Sequence, residues 1–438
     1  MCLQQLQHLK SSLFALTIIV LCGCNGTIPK DATVNLPLHA YEVEEISYSY
    51  SKFFPYSNMD VKSARVTKQE FNLTPKEELG KYLFFDNIAS PDNMSCAECH
   101  APEVGFTGPD VEINIHGGVY HGAVSQRFGN RKPPSAAYAT LSPVFYYDDE
   151  QGSFIGGNFW DGRATGELLE NPAADQALGP FLNPVEQNNA SKESVLKQVA
   201  KAKYAKLWEE VWGEPIRFET PMDIDKNFDR IGLAIAAYEG SEEVNQFSSK
   251  YDKVMAGEAR FTEDEDLGYD LFIGKGACTE CHPEPLFTNF AYENLGIPKN
   301  PDNPFYAMDN VYLDDGTAIN PEGSAWVDKG LGGFLETRPE WADMAAENYG
   351  KHKVPTLRNV GKANSDDFPK AFMHNGVFKS LAEVVHFYNT RDIKEWPAPE
   401  VEENVNTILI ENLELTQREE AALVAFLMTL SDGYVPEK

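Results

Sequence analysis

The stretch SCAECH at 95–100 places two cysteines three residues apart, with a histidine directly after the second, and ACTECH at 277–282 repeats the pattern. Two thiols on so short a turn can bond the two vinyl groups of one porphyrin, and the adjacent histidine reaches the iron from the same side. The repeat therefore predicts two covalently attached c-type haems. The predicted attachment residues are Cys96, Cys99, Cys278 and Cys281, and the predicted proximal iron ligands are His100 and His282.

Other uses of the cysteines fit the sequence less well. A thioredoxin-like redox pair would lie in a βαβ context, which the sequence lacks. A zinc ribbon would place its two Cys-x-x-Cys units much closer together. If the chain is exported, four cysteines could also form two disulfides. The other three of the seven cysteines, Cys2, Cys22 and Cys24, lie at the N-terminus. The two motifs thus use every remaining cysteine, which favours haem attachment.

A duplicated helix precedes each motif. In LTPKEELGKYLFFDN, Thr74 and Glu77 form a capping box, and Thr262 with Glu265 repeats that box before the second motif. The Leu-Gly and Leu-Phe pairs of the first helix recur at the same spacing in the second. The sequence therefore predicts two copies of one unit, which consists of a capped helix, a short loop and Cys-x-x-Cys-His.

The remaining patterns predict a mainly α fold. Segments 191–212 and 223–240 have helical periodicity, and a third capping box, Thr416 with Glu419, opens an amphipathic helix. Glycine, proline and asparagine mark two long loops, 101–160 and 283–350. We expect two cytochrome c-like helical domains, each carrying one covalently bound c-type haem. The predicted divisions are a leader at 1–23, a polar tether at 24–67, an N-terminal domain at 68–250 and a C-terminal domain at 251–438.

The N-terminus predicts export. One lysine precedes an apolar run of roughly a dozen residues, the length of a secretory leader and too short to span a bilayer. The run ends in LCGC, which resembles a bacterial lipoprotein cleavage box and would make Cys24 the lipidated first residue of the mature chain. Ordinary cleavage nearby, giving a soluble periplasmic protein, is the alternative. Both predict a periplasmic location, with a membrane contact only through the lipid.

The charge limits the partners. The chain of 438 residues has 37 basic and 67 acidic residues, a formal net charge of −30. That balance argues against binding nucleic acid, which requires a basic surface. It permits electrostatic steering of a basic protein partner, although an acidic surface also serves solubility alone.

Around the two haem motifs the chain resembles the bacterial dihaem cytochrome c peroxidases and their MauG-like relatives, over residues 70–432. The shared segments are FWDGRA at 159–164, GPFLNPVEQ at 179–187, VPTLRNV at 354–360 and MHNGVFKSLAEVV at 373–385. The resemblance implies an enzyme, a peroxidase-type oxidoreductase that reacts with hydrogen peroxide at the N-terminal haem. It implies that the C-terminal haem transfers electrons.

The resemblance also implies roles for three side chains. Trp160 corresponds to the family's tryptophan between the haems, which relays electrons. Glu186 corresponds to the acid–base carboxylate that moves a proton between the peroxide oxygens, and Gln176 to its neighbouring amide. Taken alone, Trp160 would be interpreted as a core residue and Glu186 as a solvated loop residue.

The distal ligands differ within the family. Peroxidase members carry a displaceable histidine after the first motif, where this chain offers His116 and His121 at a spacing that does not match. A MauG-like five-coordinate iron is therefore favoured there. At the second haem, HFYNTRD places Tyr388 where peroxidase members have a methionine ligand. MauG-like members also have a tyrosine at this position and use it as the distal ligand. A phenolate ligand would lower the reduction potential of the haem. Met373 and Met308 are alternative ligands, and Tyr388 as a core residue is another interpretation.

One further departure concerns calcium, which the family often holds between its domains with an asparagine side chain. In NRKPPS, Lys132 stands where that asparagine is expected. Because lysine cannot ligate a hard cation, calcium would have to use other oxygens, and its presence is doubtful.

Three functions remain open from the sequence. A MauG-like enzyme would oxidise a residue of a partner protein, and Tyr388 favours this version. A cytochrome c peroxidase would reduce peroxide with electrons from a small cytochrome c or cupredoxin. A non-catalytic dihaem electron-transfer cytochrome would instead have two low-spin haems and no response to peroxide.

Overall fold

The structure, a computed structural model, describes residues 71–365, 367–408 and 412–436. The predicted leader, the polar tether and Cys24 lie outside these ranges and stay predictions. Within the ranges, no helix combines the length and the apolar character needed to cross a bilayer.

Helices carry most of the regular structure, as predicted. They are α1 (Pro75–Phe85), α2 (Val111–Ile115), α3 (Pro172–Leu182), α4 (Lys192–Val199), α5 (Ala205–Trp212), α6 (Pro221–Glu239), α7 (Lys250–Met255), α8 (Glu263–Ile273), α9 (Gly330–Leu335), α10 (Leu381–Thr390) and α11 (Gln417–Met428). The strands of the described ranges form two short antiparallel pairs, β1 (Tyr146–Asp148) with β2 (Ser153–Ile155) and β3 (Tyr292–Glu293) with β4 (His352–Lys353). The mainly α class is confirmed.

The first helical core forms around α1 and α6. The Thr74 hydroxyl accepts a hydrogen bond from the backbone N–H of Glu77, and the Glu77 carboxylate accepts one from the N–H of Thr74. A Cβ on Gly80 would come within 1.8 Å of the Ala234 carbonyl oxygen of α6. Because glycine has no side chain, the two helix backbones touch at this point, and Leu83 is fully buried beside the contact.

The second helical core repeats this arrangement with α8 and α11. Thr262 and Glu265 form the same reciprocal capping box, and the box that opens α11 also forms as predicted. A Cβ on Gly268 would come within 2.0 Å of the Ala422 carbonyl oxygen of α11. The predicted duplication is therefore confirmed, in the caps and in the helix contact alike.

The two cores use different stretches of the chain, consistent with two cytochrome c-like domains. Buried residues of the first run from Leu79 to Val244, and those of the second from Tyr251 to Leu430. In a third cluster, Phe145, next to β1, packs against residues that come after the first core in sequence, among them Tyr292 and Leu331. The domain limits themselves stay a prediction.

Two predictions of local structure differ from the fold. Segment 191–212 is two helices, because residues 200–204 turn so that the Tyr204 ring stacks on Tyr82 (centroids 5.3 Å apart) and its hydroxyl donates to Asp86 (2.7 Å). Tertiary packing here overrides helical periodicity. The predicted loops also contain the short helices α2 and α9, which composition did not indicate.

Candidate active site at the two Cys-x-x-Cys-His segments

Both Cys-x-x-Cys-His segments fold into the same tight turn. In the first, the backbone N–H groups of the second cysteine and of the histidine donate to the Cys96 carbonyl oxygen (N···O 3.1 and 3.0 Å). In the second, the same two groups donate to the Cys278 carbonyl oxygen (3.3 and 2.8 Å). The turn holds two thiols and an imidazole on one compact unit, as attachment to a single porphyrin requires.

The two motif histidines are oriented alike. The Nδ1–H of His100 donates to the carbonyl oxygen of Phe106 (3.2 Å), and that of His282 donates to the carbonyl oxygen of Phe287 (2.8 Å). Burial lowers the pKa of both imidazoles to about 4. Each ring is therefore neutral, and the fixed tautomer leaves the lone pair on Nε2, the state in which histidine binds a metal.

The acceptor phenylalanines adopt a strained backbone in both copies. Phe106 has a φ of 57° and Phe287 a φ of 54°, in the left-handed region that bulky side chains rarely enter. This conformation turns each carbonyl oxygen toward its histidine. The same backbone strain occurs next to both Cys-x-x-Cys-His turns, which indicates that it serves to orient the histidine.

The four motif cysteines are half-buried and form no disulfide with one another. Burial raises the pKa of Cys96 and of Cys278 to about 12. A redox-active cysteine instead has a lowered pKa, so these surroundings do not favour a redox pair. Thioether bonds need no stabilised thiolate in the mature protein, so the residues present fit a covalently bound haem.

A largely apolar cavity opens beside the first motif, and the three residues implied in catalysis line it. Its walls include Cys96, Cys99 and His100 together with Trp160, Gln176 and Glu186. Gln187 adds a side-chain oxygen that is buried without a hydrogen-bond donor among the described residues. A cavity with an apolar body and a few polar groups is typical of a cofactor site, and this one fits a haem with a polar distal side.

Glu186 is held at the edge of this cavity by its own turn. Its carboxylate accepts a hydrogen bond from the Asn183 side-chain amide (2.6 Å), and its backbone N–H donates to the Asn183 carbonyl oxygen (3.0 Å). Burial raises the pKa of Glu186, and the charge of Arg163 and the Asn183 hydrogen bond offset this in part. A raised carboxyl pKa suits a group that must take up and release a proton near neutral pH.

Trp160 is fixed by main-chain atoms at two points. Its indole N–H donates to the Lys132 carbonyl oxygen (2.8 Å), and its own carbonyl oxygen accepts from the N–H of Lys353 (2.8 Å). The indole centroid lies 6.5 Å from that of the His374 ring. The side chain thus lines the first cavity while it contacts two residues of the C-terminal half.

Tyr388 lies beside the second motif. It is in α10, where its ring packs in a small apolar cluster with Met373 and Phe387. Burial raises the pKa of its hydroxyl, and the nearby Cys281 and Cys278 raise it further. The phenol is therefore buried within electrostatic range of the second attachment site.

The other candidate ligands are placed differently. His116 points outward, with 72% of its side chain exposed and its Nε2 3.9 Å from Glu112. His121 lines the first cavity, and its Nδ1–H donates to the Gly122 carbonyl oxygen (2.7 Å). Met308 lies in the helical turn Pro304–Asn310, where its carbonyl oxygen accepts from Asn320 (3.3 Å).

The sequence did not predict a buried polar cluster next to Trp160. The His352 and His374 rings stack with centroids 3.6 Å apart, and their Nε2 atoms lie 3.4 Å from Asp328 and 3.7 Å from Glu400, respectively. Arg131 bonds both oxygens of Asp328 (2.6 Å each). His352, two residues before VPTLRNV, and His374, within MHNG, were the available signal, but spacing alone does not reveal that they meet.

Comparisons with known proteins follow the same features. A family model described as di-haem cytochrome c peroxidase matches residues 74–260. The methylamine utilization protein MauG of Paracoccus denitrificans (strain Pd 1222) is 34% identical over 377 residues, which cover 81% of this chain and 88% of that protein. The chain belongs to the dihaem cytochrome c peroxidase and MauG family.

Two further relatives are named peroxidases. The cytochrome c551 peroxidase of Nitrosomonas europaea is 27% identical, covering 81% of this chain and 79% of its own. The crystal structure of the diheme peroxidase BthA from Burkholderia thailandensis E264 superposes with a TM-score of 0.68 at 28% identity, covering 83% of this chain and 87% of that one. Membership confirms the predicted class, a peroxide-reactive dihaem enzyme of the peroxidase-type oxidoreductases.

Proposed function

We propose that this enzyme reacts with hydrogen peroxide in the cavity beside the first motif and passes oxidising equivalents to the second motif through Trp160. The observation that carries the proposal is the shared cavity, which brings Glu186, Gln176 and Trp160 to the Cys96–His100 segment. Haem c, joined by thioethers to the four motif cysteines and ligated by His100 and His282, supplies the electrons that break the peroxide O–O bond when bound.

The protein's own contribution at the first site is proton transfer. The Glu186 carboxylate accepts the proton of the bound peroxide oxygen and returns it to the leaving oxygen, which departs as water. The Asn183 amide holds the carboxylate in place during both transfers. Gln176, on α3, lines the same cavity and orients the peroxide through its amide.

The second site differs in its axial group. Tyr388 would ligate the iron of a haem held there, supported by its burial in α10 within electrostatic range of Cys278 and Cys281. An anionic phenolate stabilises oxidised iron, so this site is a poor acceptor of electrons from an ordinary cytochrome. The substrate is therefore a residue of a partner protein, such as a tryptophan, and not a pool of reduced cytochrome c.

The second candidate function is cytochrome c-dependent peroxide reduction with a small cytochrome c or cupredoxin as donor. It is favoured by His121, which lines the first cavity where peroxidase members place their displaceable ligand. Steady-state turnover of peroxide with reduced cytochrome c separates the two functions. A turnover rate as high as that of a dedicated peroxidase would overturn the protein-oxidising role.

Replacing Glu186 tests the proposal at its centre. In Glu186→Gln the second-order rate constant for peroxide, followed by stopped-flow absorbance, should fall roughly 100- to 10,000-fold, the usual contribution of a general acid–base group. In the parent protein this rate constant should rise with pH through the raised pKa of Glu186, because the carboxylate form accepts the proton, and the rise should vanish in the variant.

Glu103→Gln is the matched control, since Glu103 is exposed and lies outside the cavity lining. It should react at the parent rate with the parent pH dependence. A Glu186→Gln protein that binds both haems and reacts like the control would refute the assigned role.

We also propose that the protein is exported and held to a membrane by lipid on Cys24. The support is the leader and the LCGC sequence at its end. Radiolabelled palmitate should enter the parent protein and not Cys24→Ala. Equal labelling of both would contradict the anchor.

A further inference from the structure

Lys132 carries a buried ammonium with neutral partners. Its Nζ donates to the Thr107 hydroxyl (3.1 Å) and to the Pro133 carbonyl oxygen (3.0 Å), and the Thr107 hydroxyl donates to the same carbonyl (2.8 Å). Among the described residues, no carboxylate lies within ion-pair distance of this Nζ. Burial lowers the pKa of Lys132 to about 8, which leaves the ammonium charged at neutral pH.

The main chain of the same residue joins three parts of the molecule. The Lys132 N–H donates to the His374 carbonyl oxygen (2.8 Å), and the Lys132 carbonyl oxygen accepts the indole N–H of Trp160 (2.8 Å). The position of this one residue therefore determines where the indole sits relative to the C-terminal half.

Lys353, on the other side of Trp160, has the same character. Its buried Nζ donates to the Ser142 hydroxyl (3.0 Å) and the Gly156 carbonyl oxygen (3.0 Å), while its N–H donates to the Trp160 carbonyl oxygen. Two internal lysine amino groups thus flank the tryptophan, each in a set of hydroxyl and carbonyl oxygens, and burial lowers the pKa of Lys353 further, to about 7. Such oxygens are also the ligands of a hard cation such as calcium.

A calcium ion does not fit at Lys132. The ammonium already occupies the space next to the Thr107 and Pro133 oxygens, has no lone pair to offer, and would repel a dication. We propose that Lys132 is a positioning residue whose ammonium takes the place of a bound divalent cation beside Trp160. The protein then needs no calcium to order this region, an inference independent of which substrate the enzyme oxidises.

The parent holoprotein provides the first test. After purification without added calcium, elemental analysis should find far less than one calcium per chain. Neither EGTA nor added calcium should change the melting temperature or the rate of the peroxide reaction. Stoichiometric calcium, or a melting temperature that EGTA lowers, would overturn the proposal.

Two substitutions at the same position separate a cation role from simple packing. Lys132→Asn and Lys132→Met should both melt several degrees lower than the parent. Added calcium should restore the asparagine variant, whose side-chain oxygen can ligate, and leave the methionine variant unchanged.

Lys192→Asn is the matched control, because Lys192 pairs with Asp225 at the surface. It should show no calcium response. Equal responses of the asparagine and methionine variants at position 132 would overturn the proposal, and if neither variant folds, the calcium content and the EGTA response of the parent still decide it.

Discussion

Two opposing influences act on the protonation of the Tyr388 hydroxyl. Burial raises its pKa, so the free side chain is a neutral phenol at physiological pH. A bound ferric ion would favour the phenolate instead, because a metal's charge inverts the local pKa preference of its ligand. Met373 packs in the same apolar cluster as Tyr388. Its thioether is therefore close to the phenol, but in the proposed coordination the phenol is the iron ligand.

We expect Tyr388→Met to raise the reduction potential of the second haem. A thioether favours ferrous iron, so the rise should be at least about 0.1 V, a fraction of the roughly 0.8 V that axial ligands span. Spectroelectrochemical titration of the holoprotein measures the change.

Tyr312→Phe serves as the control for that experiment, since Tyr312 is 55% exposed. It should leave both potentials unchanged. If Tyr388→Met and Tyr388→Phe also leave them unchanged, Tyr388 is a core residue and not a ligand.

The sequence predicted the attachment residues because their chemistry is local, while their surroundings come from distant segments. Cys96, Cys99 and His100 stand within five positions of one another, so spacing alone indicates their use. The strained carbonyls at Phe106 and Phe287 leave no compositional trace, since phenylalanine does not signal a positive φ. The roles of Glu186 and Trp160 came from resemblance, and they stay proposals.

The helix pairs α1–α6 and α8–α11 are each built on one glycine contact. Gly80 and Gly268 hold equivalent positions, and at both a side chain would run into the carbonyl of the partner helix. The close approach brings the aromatic and aliphatic residues of each core into contact. Because each helix contacts the Cys-x-x-Cys-His turn that follows it after a loop, the glycine contact also helps to position the attachment site.

Gly268→Ala should therefore destabilise the protein although alanine is the better helix former. Forcing a methyl group into the Ala422 carbonyl should cost about 1–3 kcal/mol of unfolding free energy, as overpacking usually does. Urea unfolding of the holoprotein measures it.

Gly179→Ala is the matched comparison, in α3, a helix of the same length as α8. Its nearest neighbour would be the Phe159 ring at 3.5 Å, an ordinary contact. Because Pro180 follows directly and disfavours a Cβ on a helical residue before it, the substitution should gain none of alanine's helix preference and change the unfolding free energy by less than about 1 kcal/mol. Similar losses at both glycines would contradict the proposed role of the close approach.

Helix starts were predictable and helix breaks were not. The capping boxes at Thr74, Thr262 and Thr416 all form, because a cap is decided by side chains three residues apart. The break at 200–204 depends on where Asp86 and Tyr82 lie, more than a hundred positions earlier in the chain. Periodicity carries no information on such distant partners.

The net charge of −30 gives the molecule as a whole a strongly negative field. Basic partners approach such a surface faster than neutral ones, and dissolved salt screens the effect over about 8 Å at physiological ionic strength. The protein partner that delivers its electrons is therefore expected to present a basic face.

For the second candidate function, we expect the association rate constant with a basic cytochrome c to fall steeply as salt is added. The rate with an acidic cupredoxin of similar size should rise or stay level, because screening then removes repulsion. Stopped-flow mixing of the reduced donors with the peroxide-treated enzyme over a salt series compares the two. Equal salt dependence for both donors would exclude electrostatic steering.

The hydrogen bonds that hold Trp160 have a consequence for the rate of electron transfer. Both of its hydrogen-bond partners belong to the main chain, at Lys132 and Lys353, and a main-chain group cannot swing away as a side chain can. In the proposed relay the indole would therefore be a bridge of constant length, and electron transfer through it would not have to wait for a loop or hinge to move. The driving force, and not conformational gating, should then limit electron transfer between the two haem sites. Electron transfer should therefore continue at temperatures low enough to stop loop motion.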